Sequence, residues 1–161
     1  MRDGETVSDG ELEISSDVEG GNGRALRVTG AGAFALEARP DWGSGDPYNR
    51  FAWYFCVRLH NRGAEPRDAT VDVRVPGGPG FENACVWMRR DQQWSRAPAT
   101  VTANSEDEWR FRSGARLAPG ETAYLSNGFW CRPSAMGKWL EQTAGAHADR
   151  CRPAPLGTTP E

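Results

Sequence analysis

The segment from Arg50 to His60 constrains the fold of this chain more than any other. Its aromatic and aliphatic side chains occupy alternate positions, and most of its polar side chains fall between them. A period of two residues is typical of a β-strand that has one face in a hydrophobic core. We predict a strand at the centre of a sheet. Its apolar face comprises Phe51, Trp53, Phe55, Val57 and Leu59.

Other short stretches with strand character occur on both sides and are bounded by Gly, Pro, Asn or Asp residues, which favour turns. The polar stretch after His60 predicts a hairpin between the central strand and the strand around Val73. Strands at this spacing indicate a mainly β fold, an antiparallel β-sandwich of about seven to nine strands. The further predicted strands are Leu12–Ile14, Ala25–Val28, Phe34–Glu37, Val71–Val75, Ala84–Met88, Glu108–Arg112 and Glu121–Leu125.

The period changes near the C-terminal end of the chain. Pro133 suits the first position of a helix, and Met136, Trp139, Leu140 and Thr143 recur at helical spacing. We predict one amphipathic helix that ends near residue 145. The sandwich domain with this helix would span residues 1–146, and the proline-containing segment 147–161 would be a linker toward a missing catalytic domain.

Composition argues against several classes of function. The net charge is −3 and charges of both signs are mixed along the chain, so no basic stripe for nucleic acid is present. No apolar stretch approaches the roughly 18 residues that suggest a membrane span, and the N-terminus has no apolar leader. We predict a cytoplasmic protein without nucleic-acid or membrane partners. Its four cysteines are expected to be free thiols, most of them buried.

The chain lacks a recognisable catalytic motif. A zinc hydrolase takes three protein ligands, commonly two from one short motif such as His-x-x-Glu, and neither His60 nor His147 begins such a motif. A site formed by His147 with Cys131 and Cys151 lacks a fourth ligand and compact spacing. We therefore predict no catalytic residue and no metal ligand in this chain.

Nucleophilic and acid-base sites are also unsupported. The serines have no Gly-x-Ser-x-Gly context, and the acidic runs are typical of solvated loops, although dispersed carboxylates can form a site that spacing does not reveal. The glycines near residue 20 precede a strand, so they do not form a phosphate loop. The residues considered are Ser95, Ser126, Ser134, Glu106–Glu108, Asp41–Asp46, Gly20, Gly21 and Gly23.

The seven tryptophans are the remaining feature. Trp53, Trp87 and Trp109 lie within predicted strands and are expected in the core. Trp42 and Trp94 lie in segments that we predict to be polar loops, where an indole either caps the core or stays exposed and binds a ligand. Both alternatives stay open. Near the predicted helix, the expected contacts with the sheet or a neighbouring domain come from Trp130, Trp139 and Leu140.

Several segments carry a family resemblance. These are Ser15–Asn22, with its Glu-Gly-Gly-Asn sequence, the aromatic strand Phe51–Asn61, and Trp87–Trp94, which ends in tryptophan. In this order they resemble the N-terminal domain that precedes the catalytic domain in cytosolic carboxypeptidases, M14-type zinc carboxypeptidases that trim tails from proteins. Pro155–Glu161 resembles the beginning of their catalytic domain, and Tyr124–Trp130 departs from the family pattern.

The resemblance implies a non-catalytic accessory domain that supports a carboxypeptidase domain in cis and helps position the C-terminus of a peptide or protein substrate. Zinc would then be bound by the catalytic domain of the parent protein. None of the matching positions is catalytic in the family. One alternative is a free-standing carbohydrate-binding module that uses Trp42 and Trp94. The other is a small enzyme with a site of dispersed residues.

Overall fold

The structure, a computed structural model, describes residues 4–39, 54–76, 84–91, 93–105, 108–128, 133–147 and 150. Within these ranges the chain forms eleven strands and one helix. In chain order they are β1 (Thr6–Asp9), β2 (Leu12–Ser15), β3 (Arg24–Gly30), β4 (Ala33–Glu37), β5 (Cys56–Asn61), β6 (Arg67–Pro76), β7 (Val86–Arg90), β8 (Gln93–Ala97), β9 (Ala99–Asn104), β10 (Glu108–Leu117), β11 (Thr122–Ser126) and α1 (Pro133–Ala146).

The strands form two sheets of a sandwich. One has six strands in the order β1-β2-β5-β11-β7-β8, and the other has five in the order β3-β4-β6-β10-β9. The described strand pairs are antiparallel except β4 and β6, which are parallel. The mainly β sandwich with a C-terminal helix is therefore confirmed. It has more strands than predicted, because β1, β8 and β9 contain few of the large apolar side chains that marked the others.

The core lies between the inner faces of the two sheets. Phe55, which precedes β5, and Phe111 of β10 meet there with ring centroids 5.6 Å apart. Phe55, Val57 and Leu59 are all buried, so the predicted inward face of the central strand is confirmed where it is described. Burial of such side chains supplies most of the favourable free energy of folding. Phe51 and Trp53 lie outside the described residues.

The predicted hairpin between the central strand and the strand around Val73 is wrong, because β5 and β6 belong to different sheets. The chain crosses between the sheets after Asn61, which is fully buried. Its Nδ2 donates to the carbonyl oxygens of Glu65, Leu117 and Ala118 at 2.8, 3.3 and 3.1 Å. These bonds join the segment after β5 to the end of β10 and to the residue that follows it, at the point where the chain crosses between the sheets.

The chain divides into two compact units, Met1–Trp130 and Cys131–Glu161, and α1 belongs to the second. The helix begins at Pro133 and ends at Ala146, as the spacing predicted. The linker role of 147–161 stays a prediction, because only His147 and Arg150 of that segment are described. In the part of the chain that the structure describes, no helix is long and apolar enough to cross a membrane.

Candidate functional site

A row of cationic and aromatic residues crosses the six-stranded sheet. Arg58 of β5 pairs in register with Tyr124 of β11, Tyr124 pairs with Arg89 of β7, and Arg89 pairs with Trp94 of β8. Neighbouring residues in register project to the same side of a sheet. These four side chains therefore share the outer face, because the residues on either side of them along the strands, such as Val57 and Leu125, are in the core.

Arg89 is the most enclosed charged residue of this row, with only 8% of its surface exposed. Its guanidinium carbon lies 4.5 Å from the centroid of the Tyr124 ring and 6.0 Å from that of Trp94. Both distances fall within the range of cation–π attraction, which strengthens as the cation loses water. At the other end of the row, Arg58 donates to Glu13 at 2.6 Å. The row is thus an ordered surface feature.

The described tryptophans test the predicted positions. Trp109 is buried in the core, as expected. Trp87 is only half-buried and lies outside the core cluster, so the prediction that it is a core residue is wrong. Its neighbours Val86 and Met88 are the inward residues of β7. A period of two residues divides the side chains of a strand between two sides of the sheet, but it does not say which side points into the core. In β7 the smaller side chains point into the core.

The predicted binding tryptophans have different outcomes. Trp94 lies on β8 and is half-buried, so its expected place in a loop is wrong. Trp42 and Trp130 lie outside the described residues. A carbohydrate-stacking platform that uses Trp42 and Trp94 therefore stays a prediction.

The Glu-Gly-Gly-Asn segment has a clear structural role. Asn22 is buried, and its Nδ2 donates to the carbonyl oxygens of Tyr54 at 2.7 Å and Arg39 at 3.3 Å. Its backbone N–H donates to Cys56 at 3.1 Å. Gly21 is required beside it, because a Cβ at that position would lie 2.0 Å from the carbonyl oxygen of Ser16. This segment therefore fastens the loop after β2 to the chain entering β5.

Tyr54 and the two described cysteines differ in their surroundings. Burial raises the pKa of the Tyr54 hydroxyl well above its usual range, which keeps the phenol neutral. Cys56 is a buried thiol and Cys85 an exposed one, so of the two cysteines described only one fits the prediction of burial. Cys131 and Cys151 lie outside the described residues.

His60 and Ser126 both take part in local hydrogen bonds. His60 Nδ1 lies 3.0 Å from Thr122 Oγ1 and 3.1 Å from the carbonyl oxygen of Glu121, which orients the ring between two strands. Ser126 Oγ donates to the carbonyl oxygen of Gly128 at 2.8 Å, as a turn residue does. Among the described residues, no group of three His, Cys, Asp or Glu side chains could hold a metal ion.

The outer face of the five-stranded sheet carries an alternating charge ladder. Glu37 is paired with Arg24 and Arg74, and Glu108 with Arg74 and Arg110. Burial acts to raise the pKa of Glu37, but hydrogen bonds from both arginines and their charges outweigh it and lower the pKa. Hydrogen bonds from Arg74 and then Arg110 lower the pKa of Glu108.

A shallow depression of about 470 Å³ lies over this ladder. Of the four arginines that line it, Arg27 donates to the carbonyl oxygen of Ala25 at 3.4 Å. The other three, Arg74, Arg110 and Arg112, are already paired with carboxylates of the same face, and Arg112 contacts Asp72 at 2.8 and 3.0 Å. An added anion would have to displace these carboxylates. The charges therefore mainly neutralise one another, and networks of this kind contribute modestly to stability.

The most exposed apolar surface in the described part of the chain is on α1. Met136, Trp139 and Leu140 are 47%, 60% and 50% exposed, respectively. Their spacing of three and four residues places them on one side of the helix. Large apolar side chains grouped on an exposed stripe are typical of a surface that another protein unit covers. Sequence spacing was sufficient to identify this stripe.

Structural comparison places the sandwich among known folds. A crystal structure described as a carboxypeptidase A from Shewanella denitrificans OS-217 matches 81% of the chain, with 18% sequence identity and a TM-score of 0.59. A metallo-carboxypeptidase from Burkholderia cenocepacia matches 83% with 18% identity and a TM-score of 0.55. The chain has a carboxypeptidase-related fold. No protein-family model and no curated protein sequence matches it.

The carboxypeptidase-related fold covers only part of these two proteins. The chain spans about a third of their length, 33% in each case. Arg89 and Tyr124 lie at the centre of the ordered row on the outer face, and the sequence pattern did not single them out. The alternation of apolar and polar residues along β7 and β11 is enough to place Arg89 and Tyr124 on the outer sides of their strands. Only the pairing register of the two strands brings these residues next to each other.

Proposed function

We propose that this chain is the non-catalytic accessory domain of an M14-type zinc carboxypeptidase similar to the cytosolic carboxypeptidases. In this role it stabilises the catalytic domain in cis and helps position the C-terminus of a peptide or protein substrate in the cytoplasm. The chain has a carboxypeptidase-related fold but matches about a third of each similar protein. The catalytic step then belongs to the remaining part of such a protein.

The exposed stripe of α1 is the observation that carries this proposal. Trp139 and Leu140 together present a wide indole and a branched aliphatic side chain, which suit the centre of a protein interface. A helix with one apolar side gains stability when that side is covered. Under the proposal, the catalytic domain covers the stripe, and Trp130, which lies outside the described residues, stays a predicted contact residue of that domain.

Zinc belongs to the other domain in this proposal. The described residues do not fit a zinc ion, because His60 is oriented by Thr122 and Glu121 and no third ligand is near it. A catalytic zinc site requires three protein ligands and an open position for water or substrate. We therefore assign the zinc ligands and the general base to the catalytic domain.

The first experiment is to determine the coding sequence beyond codon 161 and to express the complete protein. Trp139→Gln with Leu140→Gln removes the apolar stripe, whereas Lys138→Gln with Glu141→Gln changes two exposed polar neighbours on the same helix. We expect the first pair to lower the thermal midpoint of the complete protein and its rate of peptide C-terminal hydrolysis. The second pair should change neither.

The same substitutions in the 161-residue chain provide the control for folding. Because both apolar side chains are at least half exposed, their replacement should change its free energy of unfolding by less than about 0.5 kcal/mol. An open reading frame without a carboxypeptidase domain would refute the proposal. If both double variants of a complete carboxypeptidase had the same thermal midpoint and the same rate of hydrolysis, the proposed role of α1 would be refuted.

A further inference from the structure

The edge strand β9 differs from the other three edges of the sandwich. Among the described strands, the edges are β1 and β8 in one sheet and β3 and β9 in the other. Exposed edges are a hazard because their free N–H and C=O groups can pair with another strand, and charged residues, short length and bulges protect against this. β1 has four residues and ends in Asp9, β8 contains Arg96, and β3 contains Arg24 and Arg27 with two irregularities in its pairing.

β9 lacks the charged residues that the other three edge strands contain, and its one protective irregularity is a bulge in its pairing with β10. Its sequence, Ala-Thr-Val-Thr-Ala-Asn, contains no charged residue, no glycine and no proline. Three consecutive residues, Thr100, Val101 and Thr102, are β-branched and favour extended backbone. Among the described residues, no backbone hydrogen bond from another segment reaches the open side of this strand.

The two faces of β9 define which strand could pair with it. Ala99 and Val101 are half-buried and pack against the rim of the core, whereas Thr100 and Thr102 are exposed. A partner strand needs a small apolar residue on the core side and neutral polar residues on the other side. β9 itself has this pattern. An antiparallel pair centred on Val101 would place Val101 opposite its copy and Thr100 opposite Thr102, combinations that stabilise sheets.

Electrostatics favours the same partner. The nearest outward charges on β10 are Arg110 and Arg112, and they are neutralised by Glu108 and Asp72, respectively. A second copy of an uncharged strand would therefore meet no uncompensated charge. The pairing register of β9 with β10 shifts beside Phe111, where Thr102 is an extra residue. This bulge bends the strand and limits the length of a new ladder, so the association should be weak.

We propose that β9 is a self-association site, at which two copies of this chain pair their β9 strands in antiparallel orientation and join their five-stranded sheets. The contact is isologous, since the same edge is used by both copies about a two-fold axis. Main-chain hydrogen bonds between the two strands supply the affinity. The pairing of Val101 with its copy, and of Thr100 with Thr102 of the other copy, sets the register. This site uses none of the residues of the α1 stripe.

Sedimentation velocity of the 161-residue chain from about 5 to 500 µM tests the proposal, over a range suited to a weak dimer. We expect the weight-average mass to rise toward that of a dimer with increasing concentration. Thr100→Lys with Thr102→Lys places two charges on the exposed side of the edge and should weaken association at least tenfold. Thr29→Lys is the matched control, because Thr29 is exposed on β3, the opposite edge of the same sheet.

A second comparison distinguishes this site from the helix. Trp139→Gln with Leu140→Gln should leave the concentration dependence unchanged. A chain that stays monomeric up to 500 µM would overturn the proposal. So would a dimer that survives both lysine substitutions, or one that is lost when the α1 stripe is removed. Circular dichroism of each variant verifies that the monomer is folded.

Discussion

The guanidinium carbon of Arg89 lies 4.5 Å from the centroid of the Tyr124 ring, and the two residues are partners in register on β7 and β11. Because Arg89 is almost enclosed, this contact is shielded from water and should contribute measurably to stability. It also explains how a charged residue is accommodated on a half-buried outer face, where an indole and a phenol provide its surroundings.

Removal of this contact should be measurable by a double-mutant cycle. We expect Arg89→Met and Tyr124→Leu each to destabilise the chain, with a coupling energy of about 0.5–2 kcal/mol in urea unfolding. Arg89→Lys should not restore the wild-type stability, because an ammonium group lacks the planar face that stacks on the ring. Arg96→Met, at an exposed position of β8, is the control and should have little effect. Additive single-variant effects would contradict the coupling.

The centre of the sandwich should be sensitive to loss of volume. Phe111→Ala removes the ring that packs 5.6 Å from Phe55 and should cost about 3–5 kcal/mol of unfolding free energy. Val28→Ala is a smaller deletion at an exposed position, and it should cost less than about 0.5 kcal/mol. Chemical denaturation of both variants tests this difference. Equal losses would mean that the two sheets do not pack around Phe111.

The stability of the folded chain should depend on the amide group of Asn22 and not only on the size of its side chain. Asn22→Asp removes the Nδ2 donor to Tyr54 and Arg39 and brings a carboxylate into a buried position, so we expect a loss of about 2–4 kcal/mol. Asn104→Asp makes the same change at an exposed position at the end of β9. Thermal unfolding should separate the two variants by several degrees. A fully stable Asn22→Asp protein would disprove the fastening role of this residue.

Glu37 should make stability depend on pH in the acid range. Its pKa in the folded chain is below the ordinary value of 4.5, so its contribution is present above that pH and is lost as pH falls through the folded-state pKa. Glu37→Gln should therefore cost on the order of 1 kcal/mol at neutral pH and progressively less below pH 4.5. Urea unfolding between pH 3 and 7 tests this, and a difference independent of pH would contradict it.

Local sequence patterns determined much of this fold. Alternating residues identified the inward face of β5, and Pro133 with the spacing of Met136 and Trp139 identified α1 and its apolar stripe. These predictions succeeded because a strand or a helix sets the direction of its own side chains through backbone geometry alone. The mainly β class follows from many short segments of this kind.

Tertiary structure decided the features that depend on partners distant in sequence. It separated β5 from β6, turned Trp87 outward, and brought Arg89 between Tyr124 and Trp94. Each of these outcomes requires a choice of neighbouring strand and register, which local period does not specify. That choice is made by the packing of both sheets around one core and by buried amides such as Asn22 and Asn61, whose bonds join segments far apart in the chain.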